Sequence, residues 1–190
     1  MNPFELFSIP PSFDLDLPVL EARHRELSRV LHPDRYVGSP AGERREALGR
    51  AIEINEAWRV LKSPISRAEA LCKLLGVKHG ETTEPPAAPM LLMEMMEQRE
   101  ALSDARRAKD LEAVERLAAE ITARQNAATA GLSEAFKALA PAHAVSGAAL
   151  SEAASEALTE QHTALLRKLG ELRYYRRFLD EANAILDELE

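Results

Sequence analysis

The chain carries a single cysteine, Cys72, in 190 residues. One thiol closes no internal disulfide, and no cysteine pair is present to seed a zinc framework. Cys72 lies in the apolar string ALCKLLG with no cationic cluster around it, which fits a buried small hydrophobe better than a reactive thiol. Aromatic residues are also scarce, 5% of the chain against a hydrophobic share of 46% made mostly of Ala and Leu. That balance disfavours a sheet-built core and favours an all-α protein of helices packed on helices. No run of 18 apolar residues occurs, so no membrane span is expected. The opening MNPFELFSIPPSF has no basic flank and is broken by prolines, unlike a signal peptide; a cytoplasmic protein is the expectation. Positive charge is in deficit, with a formal net charge of −7. Residues 1–75 balance 11 basic against 11 acidic side chains, whereas residues 76–190 hold 13 basic and 20 acidic. Such a chain is a poor candidate for nucleic-acid binding, which relies on neutralising phosphates.

What is present is helical periodicity with clear punctuation. FELFSI reads as a short first helix or turn stopped by Pro10 and Pro11. Asp16 is a plausible N-cap for the next helix, with Pro18 tolerated in its first turn. There Leu20, His24, Leu27 and Leu31 share one face, and Arg25 and Arg29 lie on the other side. Pro33 disfavours the α conformation at His32, so this helix should end near Leu31. After the loop GSPAGERR a third helix spans roughly 42–62, with Leu48, Ala51, Ile54, Trp58 and Leu61 as its apolar face. KSP at 62–64 ends it, and a short fourth helix over about 67–75 stops at Gly76. Residues 76–89, GVKHGETTEPPAAP, read as a linker. This divides the chain into a domain over 1–76, a linker over 77–89 and a domain over 90–190. Three helical stretches follow, over about 90–108, 110–140 and 148–189, with the string APAHAVSG as a break. Leu111, Val114, Leu117, Ile121, Leu132 and Phe136 are the candidate core of the middle stretch. In the last, Leu158, Leu165, Leu172, Leu179 and Leu186 recur every seven residues, with Leu169 and Leu189 beside them. Three helices joined by short breaks should form an antiparallel bundle.

The chemistry-bearing candidates are few. VLHPDRYV at 30–37 runs an apolar helix into His32, Pro33 and Asp34, with Arg35 following. Proline after a helix end is common, and no nucleophile at a recognisable spacing accompanies His32 and Asp34, so they do not read as a catalytic pair. His24, lying on an apolar face, is better explained as a core or half-buried histidine than as a ligand. His24, His32 and His79 show no metal-ligand spacing. The wider context carries more. An arginine-bearing helix, a His-Pro-Asp turn, a polar loop and a helix containing INEAWRVLKSP together resemble the J-domain of DnaJ-type co-chaperones, over residues 1–75. The resemblance implies two antiparallel helices that present the turn at their tip, where it docks on a DnaK-class chaperone and stimulates ATP hydrolysis. His32, Pro33, Asp34, Arg25, Arg29 and Arg35 are then the residues expected to meet that ATPase. Proline presets the turn and lowers the ordering cost of binding. Glu21 and Glu26 interrupt the basic face of the second helix, a departure from the family pattern that should weaken long-range steering.

The second half extends the resemblance. A J-domain, the helix RAEALCKLLG and an acidic three-helix region look like the HscB family, co-chaperones that deliver the iron–sulfur scaffold protein IscU to the DnaK-class ATPase HscA. Within PMLLMEMMEQREAL at 89–102, Leu91, Met95 and Leu102 fall on one arc. Met93, Met96, Glu97 and Glu100 fall on the opposite arc, with Leu92 at its edge. Periodicity leaves open whether the second arc is core or a binding surface, since methionine serves both. The resemblance implies a scaffold-binding surface made by Leu92, Met93, Met96, Glu97, Glu100 and Tyr174, the last from an LR-aromatic string in the final helix. No catalytic residue, cofactor or bound zinc is expected. The leucine stripe should pack within the chain and leave a monomer. Two alternatives stand: a J-domain co-chaperone with another client, and a structural helical adaptor in which the turn is incidental.

Overall fold

The computed structural model describes residues 2–80, 85–144 and 152–189, except the side chains of 140–144 and 152–155. Helices α1 (Pro3–Leu6), α2 (Leu17–Val30), α3 (Ala41–Lys62) and α4 (Pro64–Leu74), with a 3-10 turn at Pro33–Tyr36, come first. Helices α5 (Pro89–Ala108), α6 (Leu111–Ala144) and α7 (Glu152–Leu189) follow. The described residues contain no strand, so the fold class is all-α. The chain divides into two compact units, Met1–Val77 and Lys78–Glu190.

In the first unit α2 and α3 pack as an antiparallel pair. The side chain of Asp16 caps α2, accepting from the Val19 N–H at 3.1 Å. His24, expected to be half-buried, is so. Its ring stacks on Trp58 at 5.2 Å and on Phe7 at 6.5 Å, and its Nε2 lies 2.9 Å from Asn55 Oδ1. Asn55 and Trp58 belong to the INEAWRVL string, whose Ile54, Ala57 and Leu61 are buried. The string is therefore a clamp: three positions fill the core and two grip the facing helix.

Arg67 is the buried cation of this unit. It donates from Nε to the Leu61 carbonyl at 2.7 Å and from Nη1 to the Phe13 carbonyl at 2.6 Å, with its guanidinium over the Phe13 ring. It ties α4 to the end of α3 and to the segment before α2. Helix α4 begins at Pro64, earlier than the sequence suggests, because Ser63 acts as N-cap and proline fits the first turn. It ends as expected: Gly76 takes φ +70°, the Gly76 N–H reaches the Lys73 carbonyl at 3.3 Å, and the Val77 N–H reaches the Cys72 carbonyl at 2.8 Å. That is a Schellman closure, with the buried Val77 and Cys72 beneath it.

One expected core residue is misplaced. Leu48 is exposed, and Ala47 takes the inward position. The pairing of His24 with Asn55 sets Leu31 opposite Leu48, where α2 has run out, so α3 has less to bury there and a small alanine suffices.

The second unit is a three-helix bundle whose order is written in ion pairs. Arg99 and Arg106 of α5 meet Glu181 and Glu188 of α7. Both pairs have a sequence offset of 82, so α5 and α7 run parallel. Glu94 of α5 pairs with Arg124 of α6, which runs the other way and packs on both. The α5–α6 connection is only Lys109 and Asp110. Lys109 adopts the left-handed conformation, φ +54°, and Asp110 caps α6 by accepting from the Ala113 N–H at 3.0 Å.

Val114, Ile121, Leu132 and Phe136 are buried as expected; Leu111 is exposed, because it is the first residue of α6 and lies outside the packed turns. The expected break at APAHAVSG starts too early: α6 continues through Pro141 to Ala144. Residues 145–151 lie outside the described residues. In α7 the leucine stripe holds at Leu165, Leu169 and Leu172, then drifts. Tyr175, Phe178, Ala182 and Ile185 are buried, whereas Leu158, Leu179, Leu186 and Leu189 are half-buried. A helix with 3.6 residues per turn rotates out of a seven-residue repeat by about 20° per heptad unless it supercoils.

Candidate docking surfaces

The His-Pro-Asp turn is held by its own backbone. Leu31 closes α2 through its N–H to the Leu27 carbonyl at 3.0 Å. His32 is extended, with φ −61° and ψ 131°, as proline requires of the residue before it. The His32 carbonyl accepts from the Arg35 N–H at 3.0 Å. His32 Nδ1 lies 3.4 Å from the Asp34 N–H and 3.5 Å from Asp34 Oδ2. In the neutral ring Nδ1 accepts from that N–H and the proton sits on Nε2; in the protonated ring Nδ1 donates to the carboxylate. Either way the ring is oriented locally while both side chains stay open, 58% exposed for His32 and 85% for Asp34. The turn is thus shaped before any partner arrives.

Arg25, Arg29 and Arg35 are all exposed. Arg25 is paired with Glu21 at 3.2 Å, which leaves Arg29 and Arg35 as the cations nearest the turn without a carboxylate partner among the described residues. A shallow groove of about 180 Å³ lies at the base of the turn, lined by Leu31, Tyr36, Glu43, Glu46, Ala47 and Arg50. Sequence reasoning missed Tyr36, Glu43, Glu46 and Arg50; the only signal was their placement on either side of a polar loop.

In the second unit the two arcs of α5 separate cleanly. Leu91, Met95, Leu102 and Ala105 are buried. Met93 is 65% exposed, Met96 72% and Leu92 38%, and Met90 is open beside them. Glu97 and Glu100 are exposed on the same side. Contiguous exposed methionines with carboxylates at their margin make an adaptable apolar surface.

Tyr174 is half-buried. The heptad spacing places it: Glu181 and Glu188 lie 7 and 14 residues after it, and Arg99 and Arg106 lie 7 and 14 after Leu92. Leu92 and Tyr174 thus share the sequence offset of 82 with the Arg99–Glu181 and Arg106–Glu188 pairs, one heptad before them. Tyr174 also lines a groove of about 250 Å³ with Pro85, Pro86, Gly170 and Arg173. The structure places Leu92, Met93, Met96, Glu97 and Glu100 on the exposed side of α5 and Tyr174, half-buried, on α7. It also shows what the sequence did not mark out, an ionic layer of Glu94, Glu120 and Arg124 behind them.

Residues 87–183 match the family model described as the HSCB C-terminal oligomerisation domain. The chain belongs to the HscB family. It is 39% identical over 133 residues to a co-chaperone protein HscB homolog of Neisseria meningitidis serogroup C, covering 70% of this chain and 80% of that protein. It is 40% identical over 114 residues to the homolog of Shewanella oneidensis, covering 60% of this chain and 66% of that one. Chaperone HscB from Vibrio cholerae superposes with a TM-score of 0.75 at 28% identity, over 100% of both chains. The human co-chaperone HscB has the same fold, with a TM-score of 0.75 over 97% of this chain and 81% of the human one. The HscB relatives are named co-chaperones, and among the described residues of this HscB-family chain no helix is long and apolar enough to cross a membrane.

Proposed function

We propose that the chain is a cytoplasmic co-chaperone with no catalytic site of its own, which binds an IscU-type iron–sulfur scaffold and stimulates the ATPase of an HscA-like, DnaK-class chaperone. Residues 1–76 act as the J-domain, residues 77–89 as the linker and residues 90–190 as the client-binding domain. His32, Pro33 and Asp34 with Arg25, Arg29 and Arg35 meet the ATPase. Leu92, Met93, Met96, Glu97, Glu100 and Tyr174 hold the client. The observation that carries this reading is the exposed Leu92–Met93–Met96 surface on a helix whose opposite face already fills the core. A bundle helix needs only one apolar face, so the second calls for a partner. The locally braced but open His-Pro-Asp turn supports the other half of the reading.

Single-turnover ATP hydrolysis by the chaperone, with and without scaffold, tests both halves. His32→Gln should abolish stimulation and leave scaffold affinity unchanged. Replacing Leu92, Met93 and Met96 with Ala should weaken scaffold binding about a hundredfold, given ~1 kcal/mol or more per apolar anchor lost, and leave the scaffold-independent stimulation intact. Folded variants that each lost both activities would contradict the division of labour.

A further inference from the structure

Helix α5 is apolar on two sides. Leu91, Met95, Leu102 and Ala105 point inward, while Met90, Leu92, Met93 and Met96 point outward. Glu97 and Glu100 keep the second side outward, but Leu92 and Met96, about 100° and 140° round from Leu91, leave the fine roll of the helix toward α7 loosely set by burial alone. Charge removes the ambiguity. With Leu91 at zero and about 100° per residue, the buried arc spans roughly 40° to either side. Glu94 stands at one margin of that arc, Arg99 and Arg106 at the other. Glu94 Oε1 meets Arg124 Nη1 of α6, and Arg99 and Arg106 meet Glu181 and Glu188 of α7. The two margins thus carry opposite charge, and each faces its complement.

Arg124 is itself anchored. Its Nη2 lies 2.7 Å from Glu120 one turn earlier on α6, and it is the least exposed member of the layer. Glu94 and Arg124 also lie close enough to the buried Tyr175 of α7 to bear on its phenol. The α6-side tether is therefore the less exposed one, and it opposes the two tethers on the α7 side.

We propose that Glu94 and Arg124 are positioning residues: their ion pair, set against the Arg99–Glu181 and Arg106–Glu188 pairs, fixes the roll of α5 and so presents Leu92, Met93 and Met96 to the client. The client half of this statement rests on the proposed function; the roll does not. Without the α6-side tether the α7-side pairs act unopposed. They draw the Arg99 margin inward, and Leu92 and Met96 turn toward α7.

The chain supplies its own reporters, since four of its five methionines lie on α5. Full-length protein would be treated with hydrogen peroxide and the oxidation of each methionine followed by mass spectrometry, in parallel with scaffold affinity. In the wild type Met93 and Met96 should oxidise quickly and Met95 slowly. In Arg124→Leu and in Glu94→Gln, Met96 should slow several-fold relative to Met93 with Met95 still protected, and scaffold affinity should fall about tenfold. Arg124→Lys, which keeps the charge, should preserve the wild-type order. Glu94→Gln is near-isosteric and partly exposed, so it carries the test if Arg124→Leu does not fold. An unchanged methionine order in Glu94→Gln, or a uniform rise in all four, would overturn the proposal whatever the client does. A wild type that shows the expected order but binds no scaffold would sink the client reading and leave the roll mechanism standing.

Discussion

Single side chains carry distinct loads in this molecule. Arg67 is a buried cation whose partners are two backbone carbonyls. Burial lowers its pKa and Asp14 acts the other way, yet a guanidinium remains charged at neutral pH. Arg67→Met would leave the Leu61 and Phe13 carbonyls without their donor and should cost about 2–4 kcal/mol, read as a fall in the urea midpoint of the first unit. Tyr175 is the second case. Burial, then Glu171 and Glu94, push its phenol above the ordinary value of 10, with Arg124 opposing. The folded chain therefore keeps this proton at pH values where the unfolded chain has lost it. The contribution is fully present below pH 10 and is lost as pH rises toward the raised folded value, with a slope of at most about 1.4 kcal/mol per pH unit. Tyr175→Phe should remove that part of the alkaline loss in denaturation series run between neutral and strongly alkaline pH. Neither role was legible beforehand. Arg67 lies in ISRAEA between Ser66 and Ala68, where an arginine reads as a surface residue, and Tyr175 is one of two adjacent tyrosines that periodicity does not tell apart.

Helices were read well where a cap or a proline marks them. Asp16 opens α2, Pro33 closes it and Gly76 closes α4, because each residue type satisfies or denies a particular backbone group. Reading faltered where only a hydrophobic period was available. The heptad of α7 follows the leucines, whereas the buried face follows the turn of a real helix and shifts to Phe178, Ala182 and Ile185. The end of α5 is a separate lesson. Lys109 adopts a left-handed conformation that a side chain disfavours, because two residues must reverse the chain between α5 and α6. Lys109→Gly should stabilise the second unit by about 0.5–1 kcal/mol, seen as a higher melting temperature with scaffold affinity unchanged.

The molecule has two compact units, with the turn in one and the methionine surface in the other. On the proposed function the linker sets the effective concentration of client at the chaperone. Inserting 20 flexible Gly/Ser residues after Gly80 should leave scaffold affinity and scaffold-independent ATPase stimulation as they are, and cut the scaffold-dependent gain by about fourfold. The inward burial of Leu165, Leu169 and Leu172 shows this part of the leucine stripe satisfied within one chain. A single-chain mass in sedimentation is the expected outcome; because the matched family model is described as an oligomerisation domain, a dimer would overturn the monomer expectation, and only loss of any need for His32 would favour the adaptor alternative.

Composition, punctuation and period were enough to specify an all-α chain, the order of its helices and the residues worth suspecting, because these follow from local backbone chemistry and from the spacing of apolar side chains. The inward face of α5 was another matter. Both faces carry apolar side chains, Glu97 and Glu100 keep one of them outward, and on the proposal above the fine roll falls to charges that lie far apart in the chain and meet only in the folded bundle. The pairing of α5 with α7 is of the same kind: 82 positions separate Arg99 from Glu181 and Arg106 from Glu188, and only the folded bundle brings them together.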